Sequence, residues 1–208
     1  MRDKVVMEFE NVGVTYEQGF LGKIKVDIIS DVSFVMQKGE MVAIVGESGC
    51  GKTTVGKVAA GLLPPISGQV LFHNRNIWKL DQKEYREYRP KIQMIMQDSY
   101  ASLNPVKNVY QALAIIFQYY GTKNKNIKGK VIELLASVGI NPPGYFLNKF
   151  PYHLSGGQRQ RLCFAKILIP NPEIIVADEP VSMIDMSLRL AMLDMMIKFQ
   201  KDKNISFI

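Results

Sequence analysis

The stretch "GESGCGKTT", Gly46 to Thr54, constrains the fold more than any other part of the chain. It satisfies the phosphate-loop pattern G-x-x-x-x-G-K-[ST], and its flanks are the required ones. The apolar run "MVAIV" precedes it, as expected of a buried parallel strand, and "TTVGKVAAGLL" follows as a helix that Pro64 ends. Gly46, Gly49 and Gly51 let the backbone bend so that several N–H groups face one anion, with Glu47, Ser48 and a small Cys50 between them. The helix N-terminus adds partial positive charge. Lys52 is expected to bridge terminal phosphates, and the Thr53 hydroxyl to hold Mg²⁺.

A second buried strand, "IIVAD", carries Asp178 at its carboxyl end, where ligands of α/β sheets bind. Asp178 therefore suits the metal partner of Thr53. Glu179 comes next and is the candidate to orient and polarise an attacking water. Gln97 ends the predicted strand "KIQMIMQ". Its amide could touch both metal and water, or be an ordinary turn glutamine. Tyr16 is an aromatic near the N-terminus that could stack on a base.

Around these motifs, strands alternate with helical patterns. The early part, "VVMEFENVGVTY" and "KVDIISDVSFVMQKGE", reads as strands with a turn at Lys38-Gly39. From Asn104 to about Phe150 the pattern is helical. Ile127, Val131, Leu134, Leu135 and Val138 share one face that Gly139 stops. Leu188, Met192, Met195, Met196 and Phe199 form another helical stripe, so the methionines read as core packing. Such alternation indicates α/β with a mainly parallel sheet. The 208 residues suffice for one domain with a subdomain.

The net charge of +7 admits nucleic acid, anionic lipid or a polyphosphate ligand as partner. Cys50 and Cys163 show no metal spacing and read as free thiols in a reducing compartment. No apolar run is long enough to cross a bilayer, and the start lacks the apolar segment of a signal peptide.

"LSGGQRQ", residues 154 to 160, is a second patch suited to phosphate. Ser155 and Gln158 have capping-box spacing at a helix start. Gly156 and Gly157 then occupy first-turn positions, at a cost in helix stability. They make sense if another molecule's backbone or a phosphate approaches closely there. The alternative is a segment that merely caps a helix, with the arginines on its exposed face, and it leaves the two glycines unexplained.

The set "GESGCGKTT", "MIMQD", "LSGGQRQR", "VADEP" and "SMID" resembles the ATP-binding cassette (ABC) ATPases in order and spacing, across essentially the whole chain. The resemblance implies a P-loop NTPase (RecA-like) core with a mainly parallel sheet, an N-terminal antiparallel β subdomain and an inserted α-helical subdomain at about 98–165. The cofactors it implies are ATP and Mg²⁺. Two cassettes would pair head to tail, as a homo- or heterodimer, so that each ATP lies between one chain's P-loop and its partner's signature. Lys52, Gln97 and Glu179 then match catalytic positions, and Thr53, Gln97 and Asp178 match metal positions. Thr54 matches a residue that helps hold the inner phosphates, and Tyr16 the adenine-stacking aromatic. Ser155, Gly156, Gly157 and Gln158 match the signature that meets the partner's γ-phosphate. Asp185 matches an aspartate that contacts the partner near its P-loop; "SMID" departs from the usual "SALD" only at non-polar positions.

"QDSYASLNP" looks like the same stretch in importer ATPases for oligopeptides, dipeptides or nickel, with Ser99 where proline is usual. That implies transmembrane permease partners, an extracytoplasmic substrate-binding protein acting indirectly, no nucleic acid, and a place on the cytoplasmic face of the membrane. The chain looks more like the second of two paired subunits. Two other readings stand beside it. A soluble ABC ATPase acting on nucleic acid would suit the charge, but such proteins tend to carry tandem cassettes or coiled-coil insertions. A binding module without turnover is opposed by Lys52, Asp178 and Glu179. In the family, a strand like "ISFI" leads into a loop whose histidine touches the γ-phosphate. The chain stops at Ile208, so a C-terminally truncated domain with poor turnover and an exposed apolar edge at "ISFI" is expected. His73 is expected on the surface, and His153 beside the helix start.

Overall fold

The computed structural model describes residues 4–18, 24–97, 102–120, 126–182 and 186–208. Asp185 and Ser99 lie outside the described residues. The chain divides into two compact units. One comprises Met1–Met94, Glu173–Asp178 and Phe199–Ile208, and the other Ile95–Pro172 and Glu179–Lys198.

The first unit holds two sheets. Strands β1 (Val5–Gln18) and β2 (Ile24–Gln37) pair antiparallel, and β3 (Ser67–Phe72) and β4 (Arg75–Asn76) complete a sheet of order β2-β1-β3-β4. Its inward side chains include Val6, Phe9, Val12, Val14 and Val70, all buried. Phe9 stacks on Phe34 across the β1–β2 pair at 4.5 Å. The second sheet has order β5-β6-β7, from Ile92–Ile95, Ile174–Ala177 and Ser206–Phe207. β6 and β7 run parallel. Helix α1 (Lys52–Ala59) buries Val55, Val58 and Ala59 in the same core as β1 and β6. Helix α2 (Gln82–Tyr88) was not foreseen from the sequence. It starts with a complete capping box, Asp81 with Glu84, and buries Tyr88.

The second unit is helical. α3 (Val109–Tyr119), α4 (Ile127–Ser137), α5 (Pro143–Phe146) and α6 (Gly156–Leu168) pack together. α7 (Met186–Lys203) starts in this unit and ends in the first. Val131, Leu135 and Val138 are buried, as the α4 stripe predicts, and so are Met192, Met195, Met196 and Phe199 of α7. Among the described residues no helix is long and apolar enough to cross a membrane.

Three local expectations are corrected. "MVAIV" is not a fully buried strand. Only Met41 bridges β7, at Phe207, and Val45 is 91% exposed. Val42 and Ile44 are half-buried against the core while Met41, Ala43 and Val45 face out, an alternation that covers one face rather than two. "ISFI" is not an exposed edge either. Ile205, Ser206 and Phe207 are buried. Phe207 N donates to Glu40 O at 2.9 Å and Val42 N donates to Phe207 O at 2.8 Å, so the Glu40–Val42 backbone occupies the edge that β6 leaves open. Finally, α1 ends at Ala59, well before Pro64.

His73 is on the surface, in the turn between β3 and β4, and its ring bonds Glu173 Oε2 at 2.8 Å. Lys91 Nζ lies 3.1 Å from the other oxygen, Oε1. Partial burial pushes the Glu173 carboxyl up, but the hydrogen bonds and charges of His73 and Lys91 outweigh it and hold the carboxyl below the ordinary glutamate value. A carboxyl depressed on folding adds stability above its unfolded pKa and loses it as pH falls through the folded one. Glu173→Gln is therefore expected to lower stability by about 1 kcal/mol at neutral pH. The difference should vanish in acid, below the ordinary glutamate value. Thermal midpoints of the two proteins across pH check this, and a constant difference would exclude the carboxylate as its source.

Candidate functional site: an uncapped helix start and a paired glutamate

The first site grows from the N-terminus of α1. Its N-cap, Gly51, sits in the left-handed region at φ +96°, no side chain caps the helix, and no acidic residue stands in its first turn. α2, α3 and α6 all open with capping boxes and α4 with Asn126. α1 thus keeps its first-turn N–H groups unclaimed by side chains, at the positive end of the helix dipole, which is the arrangement an anion requires. Gly51 is needed on two counts. A Cβ there would lie 2.6 Å from Ile29 Cγ2 and 3.0 Å from Ile28 O, and its φ is costly for any other residue.

Lys52 folds over the loop. Its ammonium donates to Gly46 O at 2.8 Å and Glu47 O at 2.6 Å, with Cys50 Sγ at 3.9 Å. Those carbonyls fix the cation at the loop that precedes the helix. Gly46, Glu47, Ser48, Gly49 and Cys50 are all exposed. Thr53 Oγ1 donates to Asp178 Oδ1 at 3.1 Å. The end of β6 and the first turn of α1 therefore place a hydroxyl and a carboxylate side by side. Two hard oxygen donors suit a magnesium ion, which takes few protein ligands and completes its octahedron with water and phosphate oxygens. Among the described residues no group of three His, Cys, Asp or Glu side chains could hold a metal. Thr54 is buried, and Tyr16 is half-buried near the end of β1, opposite Val26 of β2.

The second unit holds the other two predicted catalytic residues. Gln97 Nε2 donates to Glu179 Oε2 at 2.8 Å. Glu179 is exposed, and its backbone is left-handed at φ +47°, unusual for a non-glycine residue. Ser182 steadies that turn, donating to Glu179 O from its N at 3.2 Å and from its Oγ at 3.0 Å.

The same unit carries the predicted signature. Ser155 and Gln158 form the expected capping box: Gln158 N donates to Ser155 Oγ at 3.3 Å and Ser155 N to Gln158 Oε1 at 2.9 Å. Gly156 follows the cap, half-buried. Gly157 has a reason within the chain, since a Cβ there would stand 3.0 Å from Leu188 Cδ1 of α7. The arginines are not simply a solvated face. Arg159 Nε donates back to Leu154 O, and Arg161 Nη1 reaches Val138 O and Gly139 O at 3.2 and 3.1 Å, serving carbonyls at the end of α4. His153 does not pack beside the helix start. It is exposed on a 3₁₀ turn (Pro151–His153), against the rings of Phe150 and Tyr152.

The model of the ABC transporter family matches residues 29–182. The chain belongs to the ABC transporter family. Membership implies nucleotide binding. The oligopeptide transport ATP-binding protein AppF of Bacillus subtilis is 42% identical over 88% of this chain and 56% of its own length. The dipeptide transport ATP-binding protein DppD of the same organism is 38% identical over 88% of this chain and 57% of its own. A dimeric structure of the ATP-binding cassette MJ0796, in a post-hydrolysis state bound to ADP and Pi, matches with a TM-score of 0.82 at 28% identity, over 97% of this chain and 85% of that one. The chain spans 54% to 65% of the length of the curated relatives it matches. With this family its two sheets and helical unit are the expected P-loop ABC fold.

Gly51→Ala is expected to destabilise this ABC domain by about 1–3 kcal/mol, from backbone strain and the Ile29 and Ile28 contacts together. Denaturant titration checks this. A loss under half a kcal/mol would mean the loop can relax around a Cβ.

Proposed function

We propose that the chain is the ATP-binding and ATP-hydrolysing subunit of an importer for peptides. The observation that carries the reading is the uncapped start of α1 beside the Thr53–Asp178 pair: bare N–H groups for a polyphosphate, next to oxygen donors for its magnesium. The names of the relatives, which are oligopeptide and dipeptide transport proteins, favour peptides over nickel as cargo.

In this reading the backbone of Gly46–Thr54 and the Lys52 ammonium hold the phosphates of ATP. Thr53 and Asp178 hold Mg²⁺, which when bound neutralises phosphate charge. Thr54 supports the inner phosphates, and Tyr16 stacks on the adenine. Glu179 accepts a proton from the attacking water, and Gln97 fixes its carboxylate through the 2.8 Å hydrogen bond. Ser155, Gly156, Gly157 and Gln158 face the γ-phosphate bound by a second ABC subunit, paired head to tail. Asp185 contacts that subunit near its P-loop. ATP-driven closure of the pair is passed to transmembrane permease subunits at the cytoplasmic face of the membrane, with an extracytoplasmic binding protein delivering the cargo.

Lys52→Ala is expected to weaken Mg-ATP binding about 10²-fold, the scale of two to three kcal/mol for a lost charge-assisted contact. Nucleotide titration reads it, and unchanged affinity would refute the role of Lys52. Glu179→Gln is expected to bind ATP normally and to lose about 10²–10⁴-fold in hydrolysis. Phosphate release measures this; near-normal turnover would rule out Glu179 as the base. Ser155→Arg is expected to leave ATP binding by the monomer intact while blocking the closed dimer, read by gel filtration with ATP. A monomer that failed to bind ATP would contradict the trans arrangement.

A further inference from the structure

α6 does more than present Ser155–Gln158. Gln160 Nε2 donates to Pro180 O, the carbonyl immediately after Glu179. Cys163 Sγ lies 3.3 Å from Ser102 Oγ, and Lys166 Nζ donates to Ser102 O. Ser102 is five residues beyond Gln97. Gln160, Cys163 and Lys166 are spaced by three, so they follow one slowly winding stripe spanning about 9 Å of the helix. One end of this stripe thus grips the turn that carries Glu179, and the other end holds Ser102. All of these residues belong to the second unit.

Such holding is needed. Glu179 has a backbone conformation that a side-chain-bearing residue abandons unless its surroundings over-determine it. The Ser182 bonds close the turn locally, and they leave the turn free to move as a body. The Gln160 bond ties the turn to a helix whose start is itself fixed by the Ser155–Gln158 box. The Lys166 ammonium is partly buried where it meets Ser102. Burial pulls its pKa down while the neighbouring Cys163 pulls it up. A lysine gives up hydration in this way only for a defined partner.

We propose that α6 is the frame that positions the Glu179 turn, with Gln160 as a positioning residue for hydrolysis. The proposal rests on the reading of Glu179 as the base. One helix then carries both the turn offered to a second subunit's nucleotide and the ties that set this chain's own base, so whatever shifts α6 shifts Glu179 with it.

The test is steady-state ATP hydrolysis by the full protein in its assembled complex. Gln160→Glu keeps shape and removes the donor. It is expected to lower kcat by roughly tenfold to 10²-fold, as small misplacements of catalytic groups do. KM for Mg-ATP should stay within about twofold, since nothing that binds the nucleotide is changed. In a Glu179→Gln background Gln160→Glu should not lower the residual rate further, because it acts through Glu179. Should Gln160→Glu not fold, Gln160→Met, which keeps the length of the side chain without the donor, carries the same comparison. Unchanged kcat in these variants beside an inactive Glu179→Gln overturns the positioning role alone. Equal losses in wild-type and Glu179→Gln backgrounds overturn it too, by showing general structural damage. Normal turnover by Glu179→Gln overturns the reading of Glu179, and the proposal with it.

Discussion

A helix begins with N–H groups that its own hydrogen bonds cannot reach, and a protein normally supplies a side chain for them. Asp81, Asn108, Asn126 and Ser155 do so for four helices of this chain. At α1 that provision is withheld. Gly51 has no side chain, and its left-handed backbone turns the loop so that its peptides lead into the helix. The site depends on this omission. It requires glycine against Ile28 and Ile29 of β2, and it calls for Lys52 to lie along the loop. It also sets Thr53, one turn-position further, against the carboxyl end of β6. A chain that leaves donors bare in this way is held in readiness for an anion, and the energy of binding is partly the capping that the fold omitted.

Much of this was legible in the sequence because glycine, lysine and threonine act there through local geometry. The buried strand "IIVAD" and the stripes of α4 and α7 were legible because their periodicity reflects a single burying surface. What escaped was decided at a distance. "MVAIV" reads as doubly buried, yet packing covers only one of its faces, and no property of the five residues reveals that. "ISFI" reads as an edge, yet its neighbour is the backbone at Glu40–Val42, more than 160 residues away. α2 was a different kind of miss. Its signal, Asp81 followed by Glu84, is the same box as that of α6, but its helix is short and mostly polar, so no hydrophobic stripe drew attention to it.

The signature segment shows how a motif can be read too narrowly. Its polar residues suggest recognition by another molecule, and Ser155 and Gln158 leave that open. Gly157, Arg159 and Arg161, however, have partners within the chain: Leu188, the carbonyl of Leu154, and the last carbonyls of α4. Arg161 is the more telling. α4 ends without a basic residue in its last turn, and the guanidinium fork arrives from another helix to meet two adjacent carbonyls. The fixed spacing of the segment therefore follows in part from how α6 must sit against α4 and α7.

Asp178 and Glu179 are adjacent, and their settings differ in kind. Asp178 directly follows β6, whose residues Ile174 to Val176 are buried, and its carboxylate accepts from Thr53 at the start of α1. Glu179 has left the sheet. Its conformation is intrinsically unfavourable, and side-chain hydrogen bonds hold it there. The division suits the two tasks. A metal ligand gains from rigidity, because its donor must meet a fixed coordination distance. A base must meet water only in the reacting state, and a carboxylate held by a few hydrogen bonds can be placed or displaced by small changes in the groups that hold it. A single peptide bond thus separates a residue that follows directly on a buried strand from one held by its polar neighbours, and control of the second does not require disturbing the first.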